Sequence, residues 1–165
     1  MLYKVDKPYP ELKVEGKNFA YARAMLSNMG GRNSEMTAVG SYFYNVLATS
    51  GRADELSHIF HGISIVEMQH LQMFGALAKL LGGDPRLWEA RQGGHRYWSP
   101  GYIDYRWGIP ELIKSSINAE HAAIQKYRAQ EQKISDPNIQ ALLSRIIEDE
   151  QLHIKIFEDQ LAVFR

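Results

Sequence analysis

The chain has 165 residues, the length of one domain whose core is large enough to fold without disulfide or metal staples. It contains no cysteine, which excludes disulfides, thiolate metal sites and iron-sulfur clusters. The 19 basic residues balance 19 acidic residues, and no basic run occurs. The sequence therefore predicts no nucleic-acid partner and favours a small molecule.

The N-terminal segment differs from the rest of the chain. Residues 1–16 contain Pro8 and Pro10 and little hydrophobic periodicity, which predicts an extended arm before a bundle domain of residues 17–165. The arm has no apolar run of signal-peptide length, and no later run is long enough to span a bilayer. We therefore expect a soluble cytoplasmic protein with no membrane partner.

The first half of the bundle domain is read as two helices. The first is predicted over residues 17–49, with Gly30-Gly31 as a weak point where a kink or the close approach of another backbone is expected. The second is predicted over residues 53–81, after a tight connection at Ser50-Gly51. So short a connection makes the two helices antiparallel neighbours.

Residues 82–109 break the helical pattern with many glycines and aromatic residues. A link of this length is unusual unless it has a task, such as running the length of a helical bundle. We expect its aromatic side chains to pack against helices as a strap, rather than to stack on a ligand. These side chains are Trp88, Tyr97, Trp98, Tyr102, Tyr105 and Trp107.

The second half repeats the helical pattern. A third helix is predicted over residues 110–133, with Pro110 in its first turn. A fourth is predicted from Pro137 to about residue 163, with Asp136 as its N-cap. The sequence thus predicts four long helices.

Two Glu-x-x-His motifs carry the chemistry of the sequence. Glu67 with His70, and Glu150 with His153, are each three residues apart, so each pair lies on one helix face and can bind a single metal. Apolar residues share these faces, so the carboxylates are expected to point inward, where an ionised group costs several kcal/mol unless it is paired or binds metal. The sequence offers no evident inward-facing Lys or Arg at either level, which favours two metals over two buried ion pairs.

Glu35 and Glu120 complete the pattern. The turn between helices lies midway between Glu35 and Glu67, and again midway between Glu120 and Glu150, so all four carboxylates reach the same height. Four carboxylates neutralise two divalent ions, and two imidazoles complete the coordination. The sequence predicts a dinuclear metal site built from Glu35, Glu67, His70, Glu120, Glu150 and His153.

These motifs resemble the ferritin-like superfamily over about residues 17–163. Asp149-Glu150-x-x-His153 and Glu67-Met68-x-His70 resemble segments of bacterioferritins. Gly30-Gly31-x-x-x-Glu35, with Tyr42 following, resembles non-haem manganese catalases, and rubrerythrins share the same core. The resemblance implies an all-α fold, a ferritin-like antiparallel four-helix bundle with one long crossover between the second and third helices.

The resemblance also implies roles for the ligands. Glu67 and Glu150 would bridge two divalent ions, either iron or manganese. Glu35 and His70 would complete the coordination of one ion, and Glu120 and His153 that of the other.

Three further residues would support the ligands. Tyr42 and Tyr127 are expected either to donate hydrogen bonds to ligand carboxylates or to be plain core aromatics. By the resemblance, Asp149 would hold His70 by its second ring nitrogen.

Several residues differ from the family patterns, and these differences limit which functions of the relatives are expected here. Ala123 stands where rubrerythrins carry an additional metal-facing Glu, and the cysteine-bound iron of rubrerythrins is impossible here, so their full peroxidase machinery is not expected. Met68 matches a haem ligand of bacterioferritins, but we expect it to pack and no haem to bind. We expect surface or edge positions for the remaining histidines, His58, His61, His95 and His121.

The expected function is a dimetal oxidoreductase acting on hydrogen peroxide or dioxygen in oxidative stress, since iron and manganese take part in one-electron steps. Two alternatives remain open: a ferroxidase of an iron-storage shell, and a non-enzymatic metal-binding bundle. The ligand set accepts either metal. We also expect a homo-oligomer, a dimer or larger.

Overall fold

The structure is a computed structural model that describes residues 3–164; Met1, Leu2 and Arg165, where the predicted arm and bundle domain begin and end, lie outside the described residues. Its helices are α1 (Phe19–Gly30), α2 (Glu35–Thr49), α3 (Asp54–Leu80), α4 (Ile109–Glu131) and α5 (Pro137–Val163). Two short strands, β1 (Trp88–Arg91) and β2 (Gly94–Tyr97), lie between α3 and α4. Within residues 3–164, no helix combines the length and the hydropathy needed to cross a bilayer.

The helices form the predicted antiparallel four-helix bundle. α2 packs along α3, α4 packs along α5, and α1 extends the first position of the bundle by packing against α3. The long connection from α3 to α4 is the predicted crossover. The all-α prediction is confirmed, with the two short strands as the only sheet among the described residues.

The prediction of one continuous helix over residues 17–49 is wrong, because the helix is interrupted after Gly30 and restarts at Glu35. The expected close approach of another backbone occurs here. A Cβ on Gly30 would lie 2.7 Å from the backbone nitrogen of Trp88 and 2.8 Å from the carbonyl carbon of Leu87. The backbone at the start of β1 thus occupies the space that a side chain would need, so only glycine fits.

The crossover contains regular structure that the sequence reading missed. β1 and β2 pair as an antiparallel hairpin whose turn includes Gly93 at φ +84°, a left-handed conformation that favours glycine. The indole of Trp98 donates to Thr37 Oγ1 (3.0 Å), which ties the hairpin to α2. The strap expectation holds for Trp98, whereas Tyr97, Tyr105 and Trp107 remain more than half exposed.

Local capping signals explain where three helices begin. The side chains of Asn18, Ser34 and Asp136 accept hydrogen bonds from backbone N–H groups in the first turns of α1, α2 and α5. Asp136 is the N-cap that the sequence predicts. The Ser34 cap matters for the site because it starts α2 at Glu35, the first predicted ligand.

Two apolar clusters fill the bundle, one at each end. The buried apolar residues of α3 up to Ile63 belong to one cluster, and those from Met73 onward belong to the other. Glu67 and His70 lie between them. The polar level of the bundle is therefore enclosed above and below by hydrocarbon, a low-dielectric setting in which charge must be compensated locally.

Candidate metal centre

Four helices bring all six predicted ligands to this enclosed level. Glu35 opens α2, Glu67 and His70 lie in the middle of α3, and Glu120 lies in the middle of α4. Glu150 and His153 come from α5. Each of the six is at most 3% exposed. Helical periodicity alone places each side chain on its inward face.

The six side chains form two overlapping groups of four. One consists of Glu35, Glu67, His70 and Glu150, and the other consists of Glu67, Glu120, Glu150 and His153. In each group, one ligand atom from every residue lies within 4.8 Å of the others. Glu67 and Glu150 belong to both groups, the position that a bridging carboxylate would take.

Each of these two shared carboxylates places one oxygen near each of the two imidazoles. Glu67 places Oε2 3.2 Å from Nδ1 of His70 and Oε1 3.0 Å from Nδ1 of His153. Glu150 places Oε1 3.2 Å from Nδ1 of His70 and Oε2 2.9 Å from Nδ1 of His153. Each carboxylate thus spans the two imidazoles, with one oxygen toward each.

Unpaired atoms indicate that a cation fits between these groups. Glu67 Oε1 and Glu150 Oε2 lie 3.0 and 2.9 Å from His153 Nδ1, yet none of these three buried atoms makes a hydrogen bond of acceptable geometry with any described residue. A buried polar atom left unpaired costs about 1–3 kcal/mol. Carboxylate oxygens and imidazole nitrogens are ligands for divalent iron and manganese, so the donor set suits a dinuclear centre of either metal.

Two buried tyrosines connect the helices across the centre. Tyr42 of α2 donates to Glu120 of α4, and Tyr127 of α4 donates to Glu35 of α2. Each tyrosine thus holds the glutamate of the other helix. Because a phenol donates only while protonated, this arrangement orients both carboxylates from the side of the tyrosines.

The carboxylates that are not shared hold protons in the metal-free protein. Burial, followed by repulsion from Glu67 and Glu150, raises the pKa of Glu35 well above its usual value. The same causes raise the pKa of Glu120 to about 8. Burial would also raise the pKa of Glu67, but His153 and His70 outweigh it and lower that pKa below its usual value.

The histidines respond to the same carboxylates. Burial would lower the pKa of both imidazoles, but the carboxylates around them reverse that effect. Glu150 contributes most to the raised pKa of His70, and Glu67 contributes most to that of His153; both values lie well above the usual one. Protons thus compensate the negative charge in the metal-free protein, and divalent cations would replace them.

Asp149 contacts His70 as the resemblance implied. Its Oδ2 lies 3.1 Å from His70 Nε2, the nitrogen that faces away from the cluster. Burial would raise the pKa of Asp149, but hydrogen bonds from His70, Tyr9 and Arg145 lower it, so it stays ionised.

The sequence predicts no inward-facing Lys or Arg at the level of the two motifs, and Arg145 shows that this prediction is wrong. It is 3% exposed, and its guanidinium nitrogen lies 2.7 Å from Asp149 Oδ1. Its position four residues before Asp149 was a usable signal, because that spacing pairs charges along a helix. Arg145 neutralises Asp149 and not the four glutamates, so the predicted need for metal cations is unchanged.

The N-terminal arm also contributes residues that the sequence reading missed. The hydroxyl of Tyr9 donates to Asp149 Oδ2 (2.7 Å) and lies 3.3 Å from His70 Nε2. The backbone carbonyl of Tyr3 accepts a hydrogen bond from His153 Nε2 (2.8 Å). Only the aromatic character of Tyr9 between two prolines hinted at this, and a backbone carbonyl has no sequence signal.

The remaining histidines and Met68 lie outside the cluster. His58, His61, His95 and His121 are exposed, and none of them belongs to either group of potential ligands. His95 stacks on Trp88 in the hairpin, with ring centroids 4.2 Å apart. Met68 is 47% exposed on the outer face of α3.

A cavity of about 300 Å³ between α2 and α4 reaches the centre. Its inner wall includes Glu35, Tyr42, Glu120 and Tyr127. Small residues separate the two helices along its length, among them Ala38, Ser41, Ser116, Ala119 and Ala123. The cavity holds several water-sized molecules, since one water occupies about 30 Å³ in the liquid.

The chain is similar to manganese catalases and to a bacterioferritin. The probable manganese catalase of Clostridium acetobutylicum is 22% identical over 169 aligned positions, covering 92% of this chain and 74% of the relative. The solved structure of KatB, a manganese catalase from Anabaena PCC7120, matches at TM-score 0.84 and 20% identity, covering 99% of this chain and 80% of its own. Rhodobacter capsulatus bacterioferritin matches at TM-score 0.76 and 20% identity, covering 90% and 88% respectively.

These structural likenesses confirm the ferritin-like fold. The sequence model of the rubrerythrin family matches residues 33–161. That match runs from just before α2 into the last turns of α5 and includes all six clustered residues. The chain therefore belongs to the rubrerythrin family.

Proposed function

We propose that this chain is a dimetal oxidoreductase that acts on hydrogen peroxide or dioxygen with two iron or manganese ions per chain. One observation carries the proposal. Glu67 and Glu150 each place one carboxylate oxygen toward the imidazole of His70 and the other toward the imidazole of His153. Glu35 would complete the coordination of one ion and Glu120 that of the other. The manganese catalases among the relatives favour peroxide as the substrate.

The metals, when bound, would supply and take back the electrons, and side chains of the protein would donate and accept the protons. Reducing one peroxide to two waters consumes two protons and two electrons, and oxidising a second peroxide to dioxygen returns them. The hydrogen bond from Tyr127 orients Glu35, and that from Tyr42 orients Glu120. Bound metals would displace the protons that both glutamates retain in the metal-free protein. The two tyrosine hydroxyls, whose pKa is raised by burial well above its usual value, would then be the protonated groups beside the ligands.

The cavity between α2 and α4 supports a small oxidant as the substrate. It is the route by which peroxide or dioxygen would reach Glu35 and Glu120. The apolar clusters on both sides exclude bulk water from the rest of the centre, which would limit side reactions of metals held there.

A ferroxidase of an iron-storage shell is the second candidate, favoured by the likeness to bacterioferritin over most of both chains. It would use the same six ligands, but its substrate would be Fe(II), which would accumulate as mineral beyond two ions per chain. A non-enzymatic metal-binding bundle is a third reading, and it predicts bound metal without turnover.

We also propose a homo-oligomer, a dimer or larger. Phe43 and Leu47 on α2 are 63% and 61% exposed, and Ile65 and Met68 on α3 are 42% and 47% exposed. Apolar side chains at one-turn spacing on neighbouring outer faces are typical of a protein interface. Sedimentation velocity with Phe43→Glu as the test variant checks this, because a charge in the interface should release smaller species.

The deciding experiment loads the metal-free protein with Mn(II) or Fe(II), measures metal content, and follows dioxygen evolution from hydrogen peroxide. We expect two metals per chain and one dioxygen for every two peroxides consumed. Glu67→Ala should abolish both, and Glu158→Gln, an exposed change on α5, should affect neither. Mineralisation of many Fe(II) per chain without peroxide turnover would favour storage, and metal binding without any turnover would favour the non-enzymatic bundle.

A further inference from the structure

The N-terminal arm contacts the outer side of both ligand histidines. In each imidazole, Nδ1 faces the carboxylate cluster and Nε2 faces away from it. For His153, the outward Nε2 donates directly to the backbone carbonyl of Tyr3. For His70, the outward Nε2 lies against Asp149 and the hydroxyl of Tyr9.

The arm also holds Asp149 in place. Asp149 Oδ1 accepts from the backbone N–H of Val5 (2.7 Å), and Oδ2 accepts from Tyr9 (2.7 Å). The carboxylate that faces His70 thus receives two of its hydrogen bonds from the arm. The arm therefore contacts His70 both through Asp149 and through the Tyr9 hydroxyl, and it contacts His153 through the Tyr3 carbonyl.

Arg145 fastens the arm to α5. It donates to the backbone carbonyls of Val5 (2.9 Å) and Lys7 (2.9 Å), and its guanidinium lies 4.5 Å from the centre of the Tyr9 ring. The same guanidinium pairs with Asp149. One buried cation therefore ties the arm and the His70 support into a single hydrogen-bonded unit.

These contacts select the form of histidine that binds metal. A neutral imidazole has one N–H and one lone pair, and an acceptor at Nε2 keeps the proton there. The lone pair is then on Nδ1, which faces the cluster. Partners of this kind commonly change metal affinity 10–100-fold when they are removed.

We propose that residues 3–9 are a positioning element of the metal centre, which orients both ligand histidines from outside the bundle and slows the loss of metal. The proposal rests on the metal site of the proposed function. These residues precede residues 33–161, where the family match lies, so this part of the centre is supplied by a segment that the match does not include.

Two full-length variants separate the two halves of this element. Tyr9→Phe removes the hydroxyl that holds Asp149 and contacts His70. Gly62→Ala acts on the His153 side, because the Tyr3 ring packs directly on Gly62 and a methyl group there would displace it. Tyr105→Phe, which removes an exposed hydroxyl, and Gly75→Ala, which lies in the same helix away from the arm, are the matched controls.

The measurement is the release of Mn(II) from the loaded protein into excess chelator, together with the melting temperature of the metal-free form. Each test variant should release one of its two metals about ten-fold faster, and the double variant should release both faster. Metal-free Gly62→Ala gains about 1 kcal/mol of helix propensity but loses the packing of the Tyr3 ring, so its melting temperature measures general loosening and the release rate decides the positioning role. A purely structural role predicts lower melting temperatures with unchanged release.

The outcomes also separate this proposal from the proposed function. If the wild type binds two metals and both test variants release them at the wild-type rate, the positioning role is refuted. If the wild type binds two metals without turning over peroxide or dioxygen, the proposed function is refuted and the positioning role stands on the release rates. If the wild type does not bind two metals, the dimetal site is refuted and both proposals fall.

Discussion

Raising the pH should destabilise the metal-free protein, because its centre holds protons that the unfolded chain has already released. The clearest case is Glu120, whose pKa rises from the model-compound value of 4.5 to about 8 in the folded protein. Between these two values the folded state binds one more proton than the unfolded state at this residue. The stability that Glu120 contributes is therefore fully present below about pH 4.5 and is lost as the pH rises through 8.

The size of the effect follows from proton linkage. One proton retained only by the folded state changes the free energy of unfolding by about 1.4 kcal/mol per pH unit. From about pH 5.5 to about pH 7.5, Glu120 alone should contribute a loss of about 2.5 kcal/mol, less than the full slope because its proton begins to dissociate. At about 2–4 °C per kcal/mol for a domain of this size, the melting temperature should fall by roughly 5–10 °C.

Other groups at the centre act in the same direction within this range. Glu35 also has a raised pKa, and His70 and His153 retain protons above their ordinary value. Glu67 has a lowered pKa, so its contribution changes only in more acidic solution. Saturating Mn(II) should remove or reverse the slope, because bound metal requires ionised carboxylates and its binding releases protons.

Calorimetric melting across this pH range, with and without Mn(II), tests the reasoning. Glu120→Gln should flatten the metal-free slope by about 1.2 kcal/mol per pH unit on average, and Glu158→Gln should leave it unchanged. A metal-free melting temperature that is constant or rises between these pH values would refute the proton assignment. So would the absence of proton release when Mn(II) binds in weakly buffered solution.

Three further predictions concern individual residues. The variants Glu67→Ala and Glu150→Ala should each lose metal from both positions, because each residue belongs to both ligand groups, whereas His70→Ala should mainly weaken binding at one position. Metal content measured by mass spectrometry checks this, and equal losses from all three variants would contradict the bridging role. Tyr127→Phe should lower the stability of the metal-free protein by about 1–2 kcal/mol in urea unfolding, because it removes a buried hydrogen bond to Glu35, and an unchanged midpoint would count against that bond. Ala38→Leu should narrow the cavity and lower kcat/KM for peroxide about ten-fold at unchanged metal content, which corresponds to about 1.4 kcal/mol of activation free energy. An unaltered kcat/KM would place substrate entry elsewhere.

Helical periodicity explains how much of the centre the sequence alone could predict. A helix is rigid and locally determined, so residue counts convert directly into heights and faces. The four bundle helices, the Asp136 cap and the level shared by Glu35, Glu67, Glu120 and Glu150 all follow from that conversion. The chemistry of carboxylates and imidazoles in an apolar core then indicates a metal site without any knowledge of loop structure.

Contacts between distant parts of the chain were decided only by the tertiary structure. Position 30 must be glycine because the backbone near Trp88 packs against it, and no local signal specifies that neighbour. Tyr9 reaches Asp149 across 140 positions of sequence, through an arm without periodicity. The backbone carbonyl of Tyr3 is chemically identical to every other carbonyl, so only its position makes it the acceptor for His153. The clustering of the candidate ligands could thus be predicted from the spacing of side chains on helices, whereas the groups that contact their outer sides depend on where an irregular segment comes to lie.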